Sequence, residues 1–127
     1  MAVQPNPRGM VIAGWILSAI PTLMLLSGTY FALSGAPMVA EGIAHAGYPV
    51  SLVKTIGLIE LVCGVLYLIP QTAFYGALLI TAYMGGAVAT HLRIGEKQWV
   101  VGVVFAFVIW VALAMRDSRL RAFLTGK

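Results

Sequence analysis

The sequence predicts an all-α protein: a bundle of four transmembrane helices with a short interfacial helix in the first loop. Two observations carry that class. Of 127 residues, 61% are hydrophobic and 9% are charged, where a soluble domain carries about 25% charge. So few charges cannot cover a soluble surface, and disorder needs the opposite balance of low hydrophobicity and high charge. The charges are also clustered, leaving apolar gaps long enough to cross a hydrocarbon core about 30 Å thick, which takes about 20 residues. The length suits one membrane domain over residues 1–127.

No charged residue occurs between positions 9 and 40, and a first helix is expected over about 10–33. It contains Gly14, Pro21 and Gly28 and is too long for a cleaved leader, whose apolar region spans about 7–15 residues. In the loop that follows, Pro37 to Ala46 suits two helical turns, with proline near the start and Gly47 at the end. This is the interfacial helix, with Glu41 and His45 on one face. Between Lys54 and Arg93 the only charge is Glu60, in a stretch too long for one crossing. Pro70-Gln71-Thr72 divides it, because proline disfavours helix at the preceding residue and threonine can cap the next one. Helices are therefore expected over about 49–69 and 72–92. The charge-free run from Gln98 to Met115 supplies the fourth, over about 98–115, before a basic tail over 116–127.

An even number of spans puts both ends on one side. That side carries Arg8, Arg116, Arg119, Arg121 and Lys127, and the opposite side Lys54, Arg93 and Lys97. The excess predicts both termini in the cytoplasm of a bacterial-type inner membrane, with the tail against anionic headgroups. Trp15, Tyr75 and Trp110 then fall near the inner boundary, and Tyr30, Tyr48 and Trp99 near the outer one. The tail has no basic face or base-stacking module beside it, so no nucleic-acid role is expected. A single cysteine, Cys63, excludes an intrachain disulfide, a CxxC pair and a cysteine-built metal site. Redox chemistry would need a bound cofactor or a partner subunit.

Glu60 is the most informative residue, because an ionisable group at mid-membrane depth is costly and marks function by default. It is the candidate catalytic or proton-holding residue; the alternative is a protonated acid donating one hydrogen bond to a neighbouring helix. Gly57, Gly64 and Tyr67 run along the same face, where small residues admit a close helix or leave room for a ligand. The first helix has its own stripe of Gly14, Ser18, Pro21, Leu25, Gly28 and Ala32, which reads as tight packing. Pro21 leaves the Leu17 carbonyl without its helical partner, and Glu60 is one group that could meet it. The third helix carries Tyr83 and ends in His91-Leu92-Arg93, beside Glu96 and Lys97. The plain reading has Arg93 snorkelling to headgroups and His91 at a helix end. The sharper one gathers Glu41, His45, Lys54, His91 and Arg93 around an outward mouth leading down to Glu60. Neither haem nor any other metal is expected, since His45 lies in a loop segment and His91 at a helix end. No phosphate loop, nucleophile elbow, zinc-protease motif or paired catalytic carboxylates occur.

The run Lys54-Thr55-Ile56-Gly57-Leu58-Ile59-Glu60-Leu61, then Gly64, Leu68-Ile69-Pro70 and Ala89-Thr90-His91-Leu92-Arg93, resembles the DoxX-like family of small four-helix membrane proteins. The specific parts are K-x-x-G-x-x-E and T-H-L-R, and the likeness extends over nearly the whole chain. That family takes its name from a small membrane subunit of an archaeal thiosulfate:quinone oxidoreductase. Relatives resemble membrane components of bacterial redox-defence assemblies, and a vertebrate branch acts as an assembly chaperone for nicotinic receptors. The resemblance implies a fold more strongly than an activity. The matching positions are Lys54, Gly57, Glu60, His91 and Arg93.

Two functions are therefore expected to compete. One is a membrane subunit of an oxidoreductase system that binds a quinone or another lipophile through Lys54, Gly57, Gly64, Tyr67, Tyr83, His91 and Arg93, with Glu60 at its centre. It implies membrane lipids and a partner membrane or redox protein. The other is a non-catalytic accessory or assembly protein that recognises partner helices through its small-residue stripes. A small-solute channel or transporter is a third, and it would require a homo-oligomer because four helices are too few for an inverted repeat.

Overall fold

A computed structural model describes residues 2–126, and Lys127 of the expected basic tail lies outside them. The described residues form six helices and no strand: α1 (Arg8–Leu33), α2 (Pro37–His45), α3 (Val53–Leu68), α4 (Ala73–Arg93), α5 (Trp99–Arg116) and α6 (Ser118–Thr125). A 3₁₀ turn, Val50–Leu52, leads directly into α3. Four segments are long and apolar enough to cross a membrane: α1, Val50–Leu68, α4 and α5. α1 and α4 each pack on both α3 and α5, so the four spans close a ring.

The ring is apolar outside, and the face that α1 turns inward is mostly small or hydroxylated. α1 exposes Ile16, Ile20, Leu23 and Met24 while burying Gly14, Ser18, Pro21, Thr22 and Thr29. In lipid there is no hydrophobic gain from hiding leucine, so close backbone approach and hydrogen bonding hold helices together. The buried hydroxyls are satisfied locally: Ser18 donates to the Gly14 carbonyl and Thr22 to the Ser18 carbonyl, each at 2.8 Å. Thr29 also reaches across to the Gly57 carbonyl of α3 at 3.0 Å. Beside it, a Cβ on Gly57 would stand 2.8 Å from that of Ala32, so only glycine permits this crossing. Tyr67, Ile80, Ile109 and Leu113 fill the centre of the α6 end.

The turn at Pro70 has the expected form and an unexpected detail. Ile69 is extended (φ −79°, ψ 119°), as the residue before a proline should be. Thr72 stands at the N-terminus of α4 but makes no side-chain cap. Its hydroxyl donates instead to the Leu66 carbonyl at 2.8 Å, the group that Pro70 leaves without an N–H partner. Pro21 finds no such repair from Glu60, whose carboxyl points to α4.

Within the basic tail, Ser118–Thr125 form the helix α6. Asp117 ends α5 and caps α6, accepting from the Arg119 backbone N–H at 2.8 Å. Leu120 is buried, and Gly126 (φ 69°) closes the helix. Arg116 belongs to the bundle: its guanidinium lies 4.1 Å from the Trp15 ring and 4.3 Å from the Tyr67 ring and donates to the Tyr67 carbonyl. The amide of Asn6 donates to the Ala114 and Met115 carbonyls, tying the segment before α1 to the end of α5.

Candidate functional site

A cavity of about 590 Å³ opens between α1, α3 and α4 at the α2 end of the ring. Its walls are almost wholly apolar or small: Gly28 and Ala32 from α1, Leu52 and Ile56 before and on α3, Ala82, Gly86 and Ala87 from α4. α2 covers it with Met38, Val39 and Ile43. Polar groups occur in two places. Glu60 and Tyr83 lie at depth, and Tyr48, Thr90 and His91 stand near the α2 end.

The deep pair is set by helix geometry. Glu60 lies about midway along α3, and the Tyr83 hydroxyl of α4 donates to its Oε1 at 2.7 Å. Across from it α1 supplies Gly28, where a Cβ would stand 2.6 Å from Glu60 Oε2. Glycine at that position leaves the carboxyl room between the helices; a larger residue would have to push it aside. Oε2 takes no hydrogen bond from the described residues and is not sealed from the cavity. One carboxyl oxygen is thus held by tyrosine and the other is available to whatever fills the space.

The α2 end carries a second cluster around Glu96, in the loop between α4 and α5. His45 Nε2 lies 2.9 Å from Glu96 Oε1, and His91 Nδ1 lies 2.7 Å from Oε2. Hydrogen bonds from His91 and then His45 hold the Glu96 carboxyl below its ordinary value. Arg93 turns to the Ala46 carbonyl and sits 6.0 Å from the Tyr48 ring. The Tyr48 and Thr90 hydroxyls are 2.8 Å apart.

A family model described as the DoxX-like family matches residues 16–114, well over half of the chain. The chain belongs to the DoxX-like family. Together with its four apolar spans this makes it a multi-pass membrane protein whose outer faces contact lipid. No curated protein and no solved structure matches the chain.

The candidate site residues read from the sequence of this DoxX-like chain separate in space. Glu60, Tyr83 and His91 line the cavity, whereas Lys54, Gly57, Gly64, Tyr67, Arg93, Glu41 and His45 do not. Gly57 packs against Ala32, and a Cβ on Gly64 would meet Leu26 at 3.3 Å, so that stripe is spent on α1. Tyr67 is fully buried at the opposite end, donating to the Ile109 carbonyl at 2.7 Å with Ser18 3.3 Å away. It shares a face with Glu60 in register yet serves the α1–α3–α5 junction. Lys54 and Glu41 are exposed and make no ion pair among the described residues. His45 and Arg93 act at the mouth through Glu96 and Ala46 rather than in the cavity wall. Two residues escaped the sequence reading in these roles. Gly28 was one member of a packing stripe, and Glu96 was a loop charge five residues beyond His91.

Proposed function

We propose that this DoxX-like protein binds a lipophile with a polar head, of the quinone or isoprenoid class, as the membrane subunit of an oxidoreductase system. The observation that carries the reading is the apolar cavity with a carboxyl and a phenol at its floor. Its volume of about 590 Å³ lies within the about 300–1,000 Å³ of small-molecule sites. That holds a ring head and the first units of a tail, the remainder running out along lipid. A bound quinone would supply two-electron redox chemistry, with electrons delivered by a partner subunit. The chain's own part is to seat the head by hydrogen bonding at Glu60 Oε2 and to hold or release one proton there. Tyr83 keeps the carboxyl in place by its bond to Oε1, and the apolar walls exclude water. The surplus of arginine at the α6 end supports both termini lying in the cytoplasm of a bacterial-type inner membrane.

The assembly reading has partner helices docking on the small-residue stripes; Gly57 and Gly64 face α1 and Gly14 faces α5, which favours the binding reading. Glu60→Gln tests the binding reading. It keeps the size of the side chain and one acceptor but cannot give up a proton. The expected result is loss of the copurifying lipophile with an unchanged helical spectrum and elution volume. Equal lipophile content in wild type and variant would remove Glu60 from the site.

A further inference from the structure

α2 roofs the cavity without being built into the bundle. It lines the space with Met38, Val39 and Ile43, yet none of its residues is buried. Glycines in the left-handed region bracket it, Gly35 (φ 78°) before and Gly47 (φ 87°) after. Such residues tolerate the backbone rotation that a hinge requires. What fastens its C-terminal end to the spans is polar. His45 meets one oxygen of Glu96 at 2.9 Å and His91 meets the other at 2.7 Å. Arg93 donates to the Ala46 carbonyl, and Tyr48 and Thr90 pair at 2.8 Å. Contacts of this kind at a surface are individually weak, so closure is held by a margin that local opening can overcome.

We infer that Glu96 is the positioning residue of a latch, joining His45 of α2 to His91 of α4, that holds α2 closed over the cavity. Releasing it swings α2 about Gly35 and Gly47 and opens the access route for the ligand at that end. The purpose of the latch rests on the lipophile reading; its existence does not.

The groups facing the Glu96 carboxyl are His45 from α2 and His91 from α4. Arg93, also on α4, is engaged with Ala46, and Lys54 and Lys97 make no ion pair among the described residues. α5 carries no titratable group before Arg116 at its far end. A carboxyl held below its ordinary value stabilises the closed state above that ordinary value. The contribution is lost as the pH falls through the lower, folded value. Acid below the usual glutamate range therefore opens the latch, and neutral pH keeps it shut.

The test is a distance measurement between nitroxides at Glu41→Cys on α2 and Leu92→Cys on α4, in a Cys63→Ser background without added ligand. At neutral pH the parent, with its latch intact, should show one narrow distance. Glu96→Ala and His45→Ala should each add a longer population, and the double variant should add no more. Glu96→Gln, which keeps the length and one acceptor, should fall between, and Lys97→Ala should match the parent. On acidification the parent should move towards the Glu96→Ala distribution while that variant stays where it was. A parent-like distance in Glu96→Ala, or an equal acid response in both, overturns the latch. Because no ligand enters the readout, a failed latch leaves cavity binding standing, and an absent lipophile leaves the latch standing.

Discussion

Gly28→Ala is the smallest change that reaches the deep pair. The new Cβ would stand 2.6 Å from Glu60 Oε2 and 3.1 Å from Cδ, where ordinary contact begins at 3.4 Å. The carboxyl must retreat by roughly 0.8 Å. Directed along the 2.7 Å bond to Tyr83 it compresses that bond; directed away it lengthens it beyond hydrogen-bonding range. Either way a bond worth about 1–3 kcal/mol is strained or lost, against a gain of about 1 kcal/mol in helix propensity from glycine to alanine. The net cost is about 0–2 kcal/mol, which by itself decides little. The cycle with Tyr83→Phe decides more. Without the phenol there is no bond to lose, so Gly28→Ala should become neutral or stabilising by up to about 1 kcal/mol. Unfolding in mixed micelles titrated with a denaturing detergent measures all four corners. A coupling of about 1–3 kcal/mol is expected. Additivity within about 0.5 kcal/mol would refute the proposed squeeze of Glu60 between Gly28 and Tyr83.

Other variants separate scaffold from site. Tyr67→Phe removes the second donor to the Ile109 carbonyl, which keeps its bond within α5, and should cost about 0.5–1.5 kcal/mol in the same titration, with lipophile content unchanged. Thr72→Ala removes the hydroxyl that serves the Leu66 carbonyl and should cost about 1 kcal/mol, again without touching binding. Arg116→Lys keeps the charge but loses the planar group lying between Trp15 and Tyr67, and should lower thermal stability and shift Trp15 emission. A variant that instead emptied the cavity of its occupant would contradict the assignment of that end to structure.

The spans and the Pro70 turn are legible in sequence because lipid punishes charge and unpaired backbone over long, countable stretches. The short helix α2 is legible from Pro37 and Gly47 for the same reason that caps are. α6 is less so: Leu120 is its one buried residue, and an octamer that mixes two arginines with four apolar residues directly after a span reads as a flank. Within the site, depth is legible and direction is not. Glu60 announces itself by rarity, but whether Tyr67 or Tyr83 shares its space depends on how α1 and α4 pack on α3. Register put Tyr67 on the face of Glu60, and the ring gave that part of the face to Ile109 and Ser18. Gly28 carries no sign of its partner, since a glycine records only that something comes close. Glu96 lay in plain view, and only the fold of the first loop brings His45 to it.

The central claim is that the cavity above Glu60 and Tyr83 holds a lipophile. Gly86 lines that cavity, and a Cβ there would meet nothing within 4 Å. Gly86→Trp should therefore fill the space without disturbing the ring. Solvent-extract mass spectrometry and absorbance of the protein purified in mild detergent measure the occupant directly. The account predicts about one quinone, isoprenoid or related lipophile per wild-type chain and none in Gly86→Trp, at unchanged thermal stability. Bulk phospholipid alone in the wild type, or the same lipophile in both, would contradict it.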